Sequence, residues 1–357
     1  MKNKKLIYEL FEQTSLAFLK VVPFETLVFD KRAEYMCKYG CKNYDRKYSC
    51  PPQSLMLLND IKSKNYKWAV LFATTSEMPE RLTQYKSRAV NRQKELEIQR
   101  ICRQISQVFG DNGCAHLLLS GGACKACREC TALTEEACKK PSRKLVSMEA
   151  VGIDCQKTMH NAGFDFEMPN INSINRCGCI LTNDDDLEAF HLQKKDSLQH
   201  YNPPTRQNAL EMCKRLLEEY PRLFADIQLI DIETLKTKEM ICETCQRKGK
   251  NFACPPFSNR IDFNRWSFAV LWKWNPNETK KNRYNLALKI VHAAFFSMGF
   301  YFALSLRNCY CNECSPCTFS ITDKSICNFR KMLAPSLQSQ RIDTLPFGKG
   351  NFGIEFL

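Results

Sequence analysis

Two stretches of this chain carry the same cysteine-rich signature in the same order, and that duplication limits the fold more than any other feature. The first reads Cys37-Lys-Tyr-Gly-Cys41, then Tyr48-Ser-Cys50-Pro51-Pro52, and later Cys124-Lys-Ala-Cys127-Arg-Glu-Cys130 with Cys138 after it. The second reads Cys242-Glu-Thr-Cys245, then Phe252-Ala-Cys254-Pro255-Pro256, and later Cys311-Asn-Glu-Cys314-Ser-Pro-Cys317 with Cys327 after it. Each Cys-Pro-Pro loop is followed by a strand-like run, Ala69-Val-Leu-Phe72 and Ala269-Val-Leu-Trp272. A helical segment and another strand-like run then lead into the triple-cysteine loop. Beyond that loop, residues 147–154 align without a gap on 336–343. So many ordered matches predict two tandem copies of one unit.

The alternation of strands and helices predicts an α/β class, or mixed α+β, with a helix-covered sheet and both cysteine loops at strand ends. In the first copy we read a strand at 26–30, a helix at 143–161 and a strand at 175–181. Ile98, Ile101, Ile105 and Val108, and in the second copy Leu286, Ile290, Ala293 and Met298, form apolar helix stripes that belong to the core. The polar stretch with Asp184-Asp-Asp and Asn202-Pro-Pro marks a break. The expected organisation is a first cysteine-rich unit at 1–185, a linker at 186–205, and a second, divergent unit at 206–357.

Sulfur dominates the ligand chemistry, with 21 cysteines against five histidines. Met1-Lys-Asn-Lys-Lys-Leu-Ile-Tyr-Glu has no secretory pattern, and the apolar run at 290–306 is broken by His292, Ser297 and Ser305, so no membrane span is expected. A cytoplasmic location follows, where clustered thiols stay reduced and serve as metal ligands rather than disulfides. The formal charge of +14 treats every cysteine as neutral. A cluster core of charge +2 on four thiolates carries about −2, so four such centres would leave about +6. Arg92, Lys94 and Arg100 share a helix with Glu95 and Glu97, which reads as a solvated face. A nucleic-acid partner is therefore not expected.

Three cysteines at two-residue gaps wrap a compact loop, so that three thiolates converge on one cubic cluster and the fourth ligand comes from elsewhere. Cys50-Pro51 and Cys254-Pro255 supply Cys-Pro elements of the kind that accompany such loops. The expected metal ligands are Cys37, Cys41, Cys50, Cys124, Cys127, Cys130 and Cys138, and Cys242, Cys245, Cys254, Cys311, Cys314, Cys317 and Cys327. They would hold up to four iron–sulfur clusters of the [4Fe-4S] type; zinc is the alternative, because four-cysteine zinc sites also use short cysteine pairs. Seven cysteines per copy fall one short of two fully cysteinyl clusters. Cys177, Cys179 and Cys309 are candidates for the eighth, and Cys177 and Cys179 have no counterpart in the second copy. Gly121 and Gly122 let backbone amides approach cluster sulfurs, or form a plain turn; in the second copy Asn308 and Cys309 stand there. Cys102, Cys114, Cys155 and Cys213 read as structural thiols, and Glu149 and Asp154 as capping or supporting groups.

At these residues the sequence resembles a family of predicted metal-binding proteins. Cys50 to Pro52, Gly121 to Cys130 and Ser147 to Asp154 match its Cys-Pro-Pro, Gly-Gly-x-Cys-x-x-Cys-x-x-Cys and Ser-Met-Glu-Ala-x-Gly-Ile-Asp motifs. The resemblance covers roughly residues 20–182 and implies metal binding and cluster chemistry. Three functions remain open at the sequence level. The first is a multi-cluster electron carrier or reductase component with a redox partner protein. The second is a cluster enzyme whose open iron acts on a small-molecule substrate. The third is a zinc-stapled binding module.

Overall fold

The computed structural model describes residues 2–76, 84–134, 136–164, 166, 173–185, 187–194, 204–235, 260–275, 282–307, 336, 340, 342 and 352–357. The chain divides into two compact units, Met1–Lys38 with Asn43–Asn202, and Pro203–Leu357 with Tyr39–Lys42. The first unit runs α1 (Lys2–Gln13), β1 (Phe18–Pro23), α2 (Lys31–Gly40), α3 (Leu55–Ser63), β2 (Trp68–Thr74), α4 (Gln84–Asp111) and β3 (His116–Ser120). It continues with β4 (Val146–Ser147), α5 (Cys155–Asn161), β5 (Arg176–Thr182) and β6 (Phe190–Gln193). The second has α6 (Arg206–Glu219), β7 (Phe224–Asp231), β8 (Phe268–Trp274), α7 (Asn282–Ser297), β9 (Leu304–Arg307) and β10 (Phe352–Phe356). The class is mixed α/β, with sheets built largely from antiparallel pairs.

The sheets have the orders β4-β3-β5-β2-β1-β6 and β7-β8-β10-β9. Read from the other edge, the second is β9-β10-β8-β7, which matches β3-β5-β2-β1 strand for strand. Finer details agree. Phe72 pairs with Gly178, and Trp272 with Gly353. Ser120 pairs in parallel with Ser147, and Arg307 with Ser336, which supports the gapless alignment of 147–154 on 336–343. β5 therefore has a structural counterpart in β10, with Phe352 and Ile354 where β5 carries Cys177 and Cys179. The strand is duplicated and its thiols are not.

The first sheet is buried on both faces. Phe18, Leu71, Leu119, Cys177, Cys179 and Leu181 meet Ile61 of α3 and Met159 of α5 on one side. Leu19, Val21, Val70, Phe72 and Ile180 meet Ile7 and Phe11 of α1 and Ile98, Ile101, Ile105 and Phe109 of α4 on the other. The α4 stripe packs as its spacing predicts, with Val108 at its margin. In α7 the buried face is Ala287, Leu288, Val291 and Phe295, while Leu286 is 47% exposed. That helix is apolar on nearly every side, so periodicity alone cannot choose its face.

Three elements differ from the sequence reading. The first strand is Phe18–Pro23, and residues 24–26 form a 3-10 turn instead. The region read as a helix at 143–161 opens with β4, which goes extended to pair with β3. It then turns at Gly152 (φ 80°) and becomes helical at Cys155, where the Asp154 carboxylate caps α5 by accepting from Lys157 N at 2.9 Å. Phe190–Gln193, inside the stretch read as a linker, pairs with β1 as the edge strand β6.

The second unit also replaces apolar core with a buried polar cluster. Ile180 of β5 is core, but its counterpart Glu355 is a fully buried carboxylate. His292 Nδ1 of α7 lies 2.7 Å from Glu355 Oε1, and the Ser305 hydroxyl donates to Glu355 Oε2. Burial works to lower the His292 pKa, but the charge and hydrogen bond of Glu355 outweigh it and the net shift is upward. A pKa raised on folding gives stability that is complete below the unfolded imidazole range and is lost as pH rises through the raised value. Urea titrations across that range are expected to show a falling midpoint for the wild type and a flatter profile for His292→Asn. An equally steep profile in the variant would remove His292 as the cause.

Candidate metal centre

The triple-cysteine loop leaves β3 directly across β5, and the approach is too close for side chains. A Cβ on Gly121 would sit 2.7 Å from the Cys177 carbonyl oxygen, a backbone atom that has little room to retreat. Gly122 follows with φ 73°, a left-handed conformation that costs other residues strain. The paired glycines thus have a structural reason that holds whether or not their amides face a ligand.

Cys124, Cys127, Cys130 and Cys138 line one cavity of about 20 Å³, together with Lys47, Tyr48, Lys140 and Lys144. All four thiols are half-buried. Among the described residues no three Cys, His, Asp or Glu side chains stand close enough together to hold one ion as they are. The four thiols line a common space without standing close enough to hold one ion in this arrangement. Four soft sulfur donors suit zinc or an iron–sulfur cluster.

Several groups hold the loop. Gln99 of α4, fully buried, donates from Nε2 to Ala123 O at 3.0 Å, and its Oε1 accepts from Lys125 N at 3.2 Å, clamping both sides of Cys124. Lys47 Nζ donates to Cys124 O at 2.7 Å, and the Tyr48 hydroxyl donates to Glu136 O. Ala126 N lies 3.5 Å from Cys124 Sγ, aimed to donate to the sulfur. Thr131 Oγ1 donates to Ala137 O at 2.9 Å and ties Cys130 to the segment carrying Cys138. Lys47 and Tyr48 come from the Cys-Pro-Pro loop, so the two cysteine loops meet within this unit. Sequence reasoning missed Gln99, because an isolated glutamine in a long helix has no local signal. Gln99→Ala is expected to weaken metal binding at this loop by about 10- to 100-fold, read by competition with a chelator. Unchanged affinity would show that the clamp is dispensable.

The remaining first-copy candidates lie elsewhere. Cys37 is in the last turn of α2, Cys41 follows its end, and Cys50 is buried before α3. None of the three is among the described residues lining the cavity. The Cys50 loop is braced internally, with Asp45 N donating to Pro51 O at 2.8 Å and Ser54 Oγ to Ala150 O at 2.8 Å. The second contact gives the Ser147–Asp154 motif a purpose: it pairs with β3, holds the Cys-Pro-Pro loop, turns at Gly152 and caps α5. Cys177 and Cys179 lie in the core, with Cys177 Sγ 3.8 Å from Met148 Sδ. Burial pushes the Cys179 thiol well up, and a hydrogen bond with Cys177 followed by burial does the same to Cys155. Burial takes Cys102 and Cys213 to about 12. These four are neutral thiols at physiological pH. Cys242, Cys245, Cys254, Cys309, Cys311, Cys314, Cys317 and Cys327 lie outside the described residues.

The sheet unit is duplicated, and in its first copy four thiols line one cavity beside a braced loop, a donor set of the kind metal-binding proteins use. A family model described as predicted metal-binding protein (DUF2284) matches residues 20–182 and again 225–346, and the chain belongs to that family. The double match agrees with the tandem copies. Neither a curated protein nor a solved structure matches this chain. Among the described residues no helix is long and apolar enough to cross a membrane.

Proposed function

We propose that the protein is an iron–sulfur redox protein, an electron carrier or reductase component, with Cys124, Cys127, Cys130 and Cys138 as the ligands of one [4Fe-4S] cluster. The observation that carries this reading is the convergence of these four thiols on one cavity, three of them from a C-x2-C-x2-C loop. When bound, such a cluster gains and loses single electrons. The chain's own residues set the conditions. Gln99 and Lys47 fix the loop, the Ala126 amide favours negative charge on the Cys124 sulfur, and Lys47, Lys140 and Lys144 offset the charge of four thiolates. Cys37, Cys41 and Cys50, with the second-copy cysteines, are proposed to serve further centres.

Zinc is the second reading, favoured by the small volume of the cavity, about 20 Å³. Anaerobic purification followed by iron, zinc and acid-labile sulfide analysis separates the two. Iron with stoichiometric sulfide supports the redox reading; zinc without sulfide ends it.

A further inference from the structure

The cavity opens beside a basic rim that extends beyond the lysines lining it. Lys139, Lys140, Arg143 and Lys144 are all solvent-exposed, as is Arg128 on the triple-cysteine loop. Between residues 124 and 144 there are six cations and three glutamates, and no acidic residue lies in 137–144. Nearby cations are neutralised locally: Lys125 pairs with Glu95 at 2.7 Å and Lys94 with Glu97 at 3.0 Å. Among the described residues Lys139, Lys140, Arg143 and Lys144 have no such carboxylate. The short 3-10 turn Pro141–Arg143 carries Arg143 on a proline-stiffened segment.

We infer that this rim docks the acidic face of a one-electron carrier protein. The inference rests on the redox reading of the cavity. Exposed, unneutralised charge of one sign around a solvent-facing centre steers an oppositely charged partner to that centre and orients it there. RNA is the other polyanion to consider. Binding of single strands relies on several exposed aromatic rings as stacking platforms; residues 124–144 contain none, and Tyr48 in the cavity lining is only half-exposed and tied by its hydroxyl to Glu136 O. A protein partner is therefore the better match.

The test uses the full-length protein purified anaerobically, with a small acidic ferredoxin as probe and the basic protein cytochrome c as control. Stopped-flow reduction by the ferredoxin is expected to slow by about tenfold or more between low and high salt. The double reversal K139E/R143E, which spares the cavity lining, should slow it by a similar factor at low salt. Metal content and photoreduction by a neutral deazaflavin should stay unchanged in that variant. Rates indifferent to salt and to the reversal, or equal rates with cytochrome c, overturn the inference. So does binding of a single-stranded RNA oligomer where ferredoxin fails to bind. Should the protein contain no reducible centre, the redox reading falls on its own. Calorimetry of ferredoxin binding then still decides the docking surface: salt- and reversal-sensitive binding supports it, and no binding overturns it.

Discussion

Replacing Cys124 and Cys127 together by alanine is expected to abolish metal binding at the first unit's cavity while leaving its sheet folded. These residues supply two of the four thiols lining that space. Metal affinity at four-cysteine sites is of order 10 kcal/mol or more, so a site with two donors retains little of it. The cysteines stand on a loop outside the two core layers, so the apolar packing of the sheet survives their loss. Metal analysis of the full-length variant should show the loss of one centre per chain, with far-UV circular dichroism unchanged. Undiminished metal content would mean that these thiols are not ligands.

The second large effect concerns two glycines that lie under aromatic rings. A Cβ on Gly178 would meet Phe72 at 2.5 Å and Cys102 Sγ at 2.9 Å, and one on Gly353 would meet Trp272 at 2.2 Å. Both rings are fully buried, so neither can swing away. Gly178→Ala and Gly353→Ala should each destabilise their unit by about 1–3 kcal/mol, the usual cost of overpacking a filled core. Urea denaturation provides the measurement. Combining Gly178→Ala with Phe72→Leu is expected to recover part of the loss, because contacting residues are not additive. Additive losses in the double variant would show that ring contact is not the cause.

These glycines also mark how far the sequence can be read. The cysteine pattern, with the strand-like runs and the ungapped match of 147–154 on 336–343, led to the duplication, and the matched strand orders agree with it. The stripe Ile98, Ile101 and Ile105 led to the buried face of α4, since only one face of that helix is apolar. The same method placed the face of α7 only in part: Ile290 and Met298 pack at the core margin but Leu286 and Ala293 are exposed, because apolar residues there surround the helix. The stretch 143–161 read as one helix because its local propensities permit it. Pairing of Ser147 with Ser120 and the left-handed turn at Gly152 outweigh those propensities.

For the candidate centre, spacing singled out the C-x2-C-x2-C loop, since ligand convergence within a short loop is a local property. Which fourth thiol shares its cavity is not local. The spacing left the fourth ligand to come from elsewhere in the chain, and the fold brings Cys138 to the lining. The Gln99 clamp, the meeting of the Lys47 segment with the Cys124 loop, and the substitution of Glu355 for Ile180 depend on contacts between residues far apart in the chain. By itself the sequence determined that there are two copies, where their cysteine loops lie and what donor chemistry they offer, because repeats and ligand spacing are written along one dimension. Only the tertiary structure decided which thiols share a space, which sink into the core as neutral groups, and what braces them, because burial and hydrogen bonding follow from distances in three dimensions.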